Sequence, residues 1–165
     1  MLKLCRLIKK KEGNKVLNIR VLAIINPTSG KGNIKNYIKE IRKNLEAQNM
    51  QVNIQLTKKE YNARNIVIDH IEEADLILVC GGDGTFNEVV SALMELNVKD
   101  VSIAYIPMGT TNDLARSLDM PIKDISVTRK LLESKAKVLD VGRFNNNQYF
   151  CYVAAFGVIT DVAYK

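Results

Sequence analysis

At 165 residues, 47% hydrophobic and 25% charged, the chain has the make-up of one globular domain with a sizeable core. No apolar run approaches the roughly 18 residues that span a bilayer, and no apolar segment with a cleavage site follows the basic N-terminus, so neither a membrane span nor a secretory signal is read. Cys5, Cys80 and Cys151 have neither disulfide nor zinc-ligand spacing, which points to a reducing, cytoplasmic compartment.

The charge is placed unevenly. Residues 1–20 hold Lys3, Arg6, Lys9, Lys10, Lys11, Lys15 and Arg20 against Glu12 alone, so the whole net charge of +6 resides there. Met1, Leu2, Leu4, Leu7 and Ile8 are interleaved with it. Such a segment suits peripheral contact with an anionic membrane, at about 1 kcal/mol per basic residue; it equally suits a solvated or strand-forming extension. Without aromatic interleaving or a reader motif it does not point to nucleic acid.

Residues 19–25 (Ile-Arg-Val-Leu-Ala-Ile-Ile) read as the first strong strand, running into the turn formers Asn26-Pro27-Thr28-Ser29-Gly30-Lys31-Gly32-Asn33. A helix follows, with Ile34, Tyr37, Ile38, Ile41 and Leu45 on one face. Residues 52–56 form a short strand closed by Thr57, and residues 61–71 again read helical. Residues 76–80 are continuously apolar, as expected of a strand buried on both faces. That strand ends in Gly81-Gly82-Asp83-Gly84-Thr85, where the glycines admit close approach of a ligand. Thr85 is the expected cap of the next helix, which carries Val89, Val90, Leu93 and Leu96.

A fourth strand over 101–106 leads to a second glycine turn, residues 107–112, and a short helix. Pro121 breaks the pattern and residues 122–132 resume as helix. Two strands, 137–141 and 148–154, are expected around a turn over 142–147. Strands alternating with helices predict an α/β fold, a doubly wound, mostly parallel sheet with helices on both faces. Ligands in such sheets bind beyond the carboxyl ends of the strands. The loops after Ile25, Cys80 and Ile106 are therefore expected to converge, and a glycine turn before a helix N-terminus there suits a phosphate.

Two common phosphate loops are excluded. Around Gly30-Lys31 a Walker A loop fails at both ends, with Ile25 and Gly32 where Gly and Ser/Thr are required. Gly82-Asp83-Gly84 is followed at the third place by Asn87, so the dinucleotide fingerprint fails as well. Instead, Asn26-Pro27-Thr28-Ser29-Gly30, Gly81-Gly82-Asp83-Gly84-Thr85 and Pro107-Met108-Gly109-Thr110-Thr111-Asn112-Asp113 resemble, in order and spacing, the diacylglycerol kinase catalytic domain family. That family includes diacylglycerol, sphingosine and ceramide kinases and bacterial soluble lipid kinases. The Gly-Gly-Asp-Gly element alone is also similar to NAD kinases and phosphofructokinases.

The resemblance implies ATP- and Mg²⁺-dependent transfer of the γ-phosphoryl group to a lipid carrying a free hydroxyl, of the diacylglycerol or sphingoid type. It implies that Asn26, Pro27, Thr28, Ser29 and Gly30 line the nucleotide with Thr57, that Gly81, Gly82, Asp83, Gly84, Thr85, Phe86 and Asn87 wrap the phosphates, and that Thr110 touches ATP from the third loop. Asp83 is the catalytic candidate, as a proton acceptor or an orienter of water around Mg²⁺; bonding to the turn's own N–H groups is its structural alternative. No metal ligand is assigned. Asn112 and Asp113 read as loop-ordering caps, Lys31 as solvated or phosphate-facing, His70 as a surface residue and Tyr105 as packing.

Relatives of this kind carry a second, largely β domain that supplies a proposed general base and much of the lipid cleft. The expected layout is a basic extension over residues 1–18, a nucleotide-binding domain over 19–147, and the start of an interrupted second domain over 148–165. Kinase activity is expected to be low for these residues alone. The competing readings are a non-catalytic nucleotide-binding module and a kinase of the wider fold acting on NAD. The acceptor lipid, the general base and the oligomeric state are not legible.

Overall fold

The computed structural model describes residues 2–4, 18–29, 33–98, 100–133, 137–145 and 148–152. In chain order they form β1 (Leu2–Leu4), β2 (Ile19–Ile25), α1 (Ile34–Glu46), β3 (Met50–Leu56), α2 (Ala63–His70), β4 (Leu76–Gly81), α3 (Asp83–Glu95), β5 (Ser102–Pro107), α4 (Asp113–Ser117), β6 (Lys137–Leu139), β7 (Gly142–Phe144) and β8 (Gln148–Phe150), with 3₁₀ turns at Ile71–Glu73 and Ile125–Glu133.

The main sheet has the order β3-β2-β4-β5-β1-β6. β2 to β5 are all parallel, β1 joins parallel to β5, and β6 closes the edge antiparallel to β1. The chain winds first from β2 outward to β3, then back across to β4 and on to β5. Helix α1 lies on one face, while α2 and α3 lie on the other. Reversing both direction and face keeps one hand for the crossovers. The topological switch, where ligands bind in open α/β sheets, falls between β2 and β4.

Two apolar cores follow from strand alternation. Val21, Ala23, Ile25, Leu76, Leu78, Cys80, Ala104 and Ile106 pack against Ile41 and Leu45 of α1. Leu22, Ile24, Ile77, Val79, Ile103 and Tyr105 pack against α2 and α3 through Ile66, Val67, Phe86, Val89, Val90 and Leu93. Every residue of β4 and β5 is buried, as their near-continuous apolar sequences lead one to expect of central parallel strands.

The doubly wound sheet and its helices are as read from the sequence, with four local differences. Helix α3 begins at Asp83 with Gly82 as its N-cap, so Thr85 lies inside the first turn and caps nothing. Its side chain is buried and its Oγ1 accepts from Asn26 Nδ2 instead. The helix expected over 122–132 is a 3₁₀ run from Ile125 to Glu133. Gln48 Nε2, just beyond α1, donates to the Thr128 carbonyl at 2.6 Å, Asn44 Nδ2 of α1 donates to the Thr128 hydroxyl at 2.9 Å, and that hydroxyl donates to the Ile125 carbonyl. The run is thus tied to Asn44 of α1 and to Gln48 just after it.

The third difference lies at the expected turn over 142–147. Its first half, Gly142–Phe144, is itself strand β7 and pairs with β8. A Cβ on Gly142 would fall 2.2 Å from the Phe150 ring, which explains why a glycine opens this strand. The fourth concerns β6, which pairs with β1 in the main sheet rather than with the hairpin. Leu2–Leu4, at the head of the expected basic extension, therefore form an inner strand of the sheet. The rest of the basic segment, residues 5–17, and residues 153–165 lie outside the described residues.

Candidate functional site

Helices α1 and α2 both start on an asparagine. Asn33 Oδ1 accepts from the N–H groups of Lys35 and Asn36, and Asn62 Oδ1 accepts from Asn65 N–H. Glu88 Oε2 of α3 takes a further free donor of α2, Ala63 N–H, at 3.0 Å. The short helix α4 is closed by Asp83, whose Oδ2 and Oδ1 accept from Asp113 N–H at 3.0 Å and Leu114 N–H at 3.3 Å. Among the described residues α3 alone of these four starts without a side-chain cap. A side-chain cap is worth about 1 kcal/mol, so a thirteen-residue helix left open at its start forgoes that stabilisation.

The open end of α3 sits where three strand-end loops touch. From β2, Asn26 N–H donates to the Cys80 carbonyl at 2.9 Å and Asn26 Nδ2 reaches Thr85 Oγ1 at 3.2 Å, bridging the topological switch. Asn26 Oδ1 turns back to accept from Thr28 N–H and Thr28 Oγ1, which orders this loop into an Asx turn. From β5, Met108 N–H donates to the Gly81 carbonyl at 2.7 Å. Gly82 and Gly109 meet backbone to backbone: a Cβ on Gly109 would lie 2.8 Å from Gly82 Cα, and one on Gly82 would lie 3.3 Å from Gly109 Cα. A Cβ on Gly81 would strike Thr85 at 2.7 Å, whereas one on Gly84 would meet nothing within 4 Å. Gly81, Gly82 and Gly109 are thus needed for packing of the loops themselves, and Gly84 is free to serve the open side.

The third loop is tied from within. Asn112 adopts a left-handed conformation (φ 51°) and is almost completely buried. Its Oδ1 accepts from Gly109 N–H and its Nδ2 donates to the Gly109 carbonyl, both at 2.8 Å. Asparagine tolerates this backbone region better than most residues. Arg116 Nε donates to the Thr111 carbonyl and closes the far side of the loop. Asn112 and Arg116 thus order the loop, while Asp113 takes part through its backbone N–H.

The expected site residues divide accordingly. Asn26, Thr28, Gly81, Gly82, Asp83, Gly84 and Thr85 come together around the α3 terminus. Pro27, Ser29 and Thr110 lie on the loops at its rim, with Pro27 and Thr110 exposed. Thr57 closes β3 beside them, its N–H donating to the Ile25 carbonyl, and Asn87 is half-buried on the first turns of α3. Phe86 turns inward; its ring packs against Tyr105 with centroids 4.7 Å apart, so only its backbone belongs to the rim. Gly30 and Lys31 lie outside the described residues. His70 is far away, at the amino ends of the strands beside Arg20 and Glu73.

Asp83 is the point at which geometry adds most to the sequence. Its carboxylate does not close its own turn but reaches across to α4, clasping the second loop to the third. The second clasp, Glu88 to Ala63 N–H, was not read from the sequence at all, because a Glu in a helix carries no signal of a partner 25 residues away. Tyr105, against Phe86, has a buried hydroxyl with no partner among the described residues, and burial together with the Asp83 charge pushes its pKa up.

The description "Diacylglycerol kinase catalytic domain" matches residues 20–144, which include all three loops. The chain belongs to the diacylglycerol kinase catalytic domain family. It is 35% identical over 147 residues to a diacylglycerol kinase of Staphylococcus carnosus, covering 88% of this chain and 47% of that protein. It is 34% identical to one of Bacillus subtilis, covering 88% and 48%. A solved diacylglycerol kinase structure from Bacillus anthracis superposes with a TM-score of 0.67 at 29% identity, covering 79% of this chain and 45% of that one. The chain thus spans about half the length of the curated relatives it matches.

Proposed function

We propose that residues 19–147 are the ATP-binding half of a cytoplasmic lipid kinase that moves the γ-phosphoryl group of ATP to the hydroxyl of a diacylglycerol or sphingoid-type lipid. The observation that carries this reading is the uncapped start of α3, held open at the meeting of three family loops while the neighbouring helices are closed by side chains. The N–H groups of Asp83, Gly84 and Thr85 have no partner within the helix and lie at the positive end of its dipole, which suits the phosphates of a nucleotide. Asn26, Pro27, Thr28, Ser29, Thr57 and Thr110 supply the surrounding rim. Phosphoryl transfer is mainly positioning and neutralisation of charge, and a rigid ring of main-chain donors contributes to both.

Magnesium is part of the family reading, yet the described residues hold no group of three or more His, Cys, Asp or Glu that could bind a metal. Asp83, the acid nearest the phosphates, has both oxygens engaged by α4. These residues do not make a protein cage for Mg²⁺, and no step is assigned through one. Asp83 acts in this reading as the clasp of the phosphate loops. Its catalytic role as proton acceptor is the finer part of the proposal, and competition from two N–H donors argues for low turnover by residues 1–165. Residues 148–165 belong, in this reading, to the start of a second domain. The contact of residues 1–20 with anionic membrane rests on their charge.

The test is calorimetric titration of residues 1–165 with ATP, alongside transfer of labelled γ-phosphate to diacylglycerol in mixed micelles. ATP binding with slow transfer is expected, together with a loss of affinity in Gly84→Ala, whose Cβ meets no atom of the protein within 4 Å. Unchanged affinity in that variant would place the phosphates elsewhere. A second reading, a binding module without chemistry, is favoured by the engagement of both Asp83 oxygens. Asp83→Asn separates the two: as a clasp it weakens ATP binding, whereas as proton acceptor it lowers turnover at saturating ATP by more than it lowers affinity.

A further inference from the structure

Tyr105 carries a polar group that the packing of the core does not use. It stands in β5 opposite Val79 of β4, and only 4% of the residue is exposed. Its ring packs on Phe86, with centroids 4.7 Å apart, and its hydroxyl is buried with no partner among the described residues. A buried, unpaired hydroxyl costs free energy that phenylalanine, with the same ring, does not incur. In a cluster otherwise built from apolar side chains, such an orphan points to a use beyond packing.

The place of the ring ties this hydroxyl to Asp83. Phe86 and Asp83 are three residues apart and so share one face of α3. The cluster that holds Tyr105 also takes in Leu114 of α4. The Asp83 carboxylate spans those same two helices, 3.0 Å from Asp113 N–H and 3.3 Å from Leu114 N–H. Tyr105 therefore lies beneath the clasp, near enough for the Asp83 charge to disfavour its ionisation. An ionised carboxylate offers about four acceptor positions, and α4 fills two of them. Asp83 has room for a further donor, and Tyr105 is a buried donor that lacks an acceptor.

We propose that Tyr105 is a positioning residue for Asp83, whose carboxylate takes the Tyr105 hydroxyl as a third donor when phosphates settle at the open start of α3, a role that rests on the nucleotide reading given above. The two groups lie beyond hydrogen-bond distance in the structure, as groups of a site often do until a ligand draws them together. Asp83 is the first residue of α3. A phosphate held by the N–H groups of that turn therefore acts on the same residue whose side chain meets Tyr105. The bond belongs to the bound form alone, so its free energy enters the affinity for the ligand and not the stability of the free protein. Its effect is to hold the clasp between the second and third loops in one arrangement while the amides of α3 face the phosphates.

The experiment compares the full chain with Tyr105→Phe, which keeps the ring and removes the oxygen. Without ligand, Tyr105→Phe is expected to melt at the parent temperature or above it, because an unpaired buried group has been taken away. Its affinity for ATP, measured by calorimetry, is expected to fall about tenfold or more, the worth of one hydrogen bond to a charged group. In an Asp83→Asn background the same replacement is expected to change affinity less, since the charge that strengthens the bond is gone. Tripolyphosphate gives a spectroscopic reading, because it does not absorb with tyrosine and the chain has no tryptophan. Its addition is expected to move a tyrosine band of the parent to longer wavelength, and that movement is expected to be missing in Tyr105→Phe. Equal ATP affinity in the two proteins overturns the proposal, and so does a tyrosine band that moves equally in both. A lower melting temperature of ligand-free Tyr105→Phe also overturns it, by showing that the hydroxyl already has a partner. A parent chain that binds neither ATP nor tripolyphosphate overturns the nucleotide reading itself, and this role with it.

Discussion

At the scale of single residues, the glycines of the site do different work despite sharing one motif. Gly109 has Gly82 Cα and Asn112 Oδ1 each 2.8 Å from where its Cβ would stand, so Gly109→Ala must separate two backbones. We expect it to lower stability by about 1–3 kcal/mol, the usual cost of overpacking, as read from urea denaturation. Gly84 has open space beside it and sits in the first turn of α3. Gly84→Ala should raise stability by up to about 1 kcal/mol through helix propensity, while its methyl group enters the phosphate approach and lowers ATP affinity. Opposite movement of melting temperature and affinity is the signature to look for, and parallel movement would show that Gly84 serves packing alone. The three-glycine spacing was legible in the sequence as a tight turn between strand and helix. Which of its glycines the fold itself requires was not, because that depends on the third loop, 25 residues beyond Gly84.

Among the elements, an ion pair between Arg20 and Asp75 fastens the amino ends of β2 and β4. Arg20 Nε and Nη2 grip the Asp75 carboxylate at 3.1 and 2.8 Å, and Arg20 N–H adds a third bond at 2.9 Å, joining β2 to the start of β4. These bonds hold the Asp75 carboxyl below its usual pKa of 3.8. A depressed carboxyl pKa means that the unfolded chain takes up the proton first as pH falls. The contribution of Asp75 is therefore fully present above its ordinary value and is lost as pH drops through the lower native one. Asp75→Asn should accordingly be less stable than the parent at neutral pH and converge with it in strong acid. A gap that persists unchanged at low pH would assign the effect to geometry rather than charge. Both partners are nearly half exposed, so the difference is expected to be small. The strands and helices around this pair were legible because their apolar periodicity is strong. The 3₁₀ run at Ile125–Glu133 was not, since its contacts are with Asn44 of α1 and Gln48 just beyond it, some 80 residues away, and the β7 strand was hidden by its opening Gly142, which reads as a turn former until Phe150 is seen to occupy the place of its missing side chain.

For the molecule as a whole, the two cores leave the carboxyl end of β4 dry immediately beneath the site. Cys80 is fully buried there and its thiol is pushed up to about 12 by loss of solvation. At pH 7 to 8 it should resist thiol reagents until the sheet opens, so its labelling rate reports opening of the central strands. Saturating ATP should slow that rate in proportion to the nucleotide's stabilisation, about 2.7 kcal/mol at a hundredfold excess over Kd. Labelling as fast as in denaturant would show that β4 is not the core it is described to be. The architecture was legible from alternation of strand and helix, and the convergence of the three loops from their position after strands. The clasps of Asp83 and Glu88 join distant segments and become visible only when the chain is folded.

Helix α3 spans the distance between these scales. Its thirteen residues measure about 20 Å from end to end. One end faces the three strand-end loops, and its side supports the β8 strand of the hairpin. A rod so seated is a lever: a fraction of an ångström of pull at its tip becomes tilt along its flank, so the hairpin is placed to feel the filling of a site it never touches.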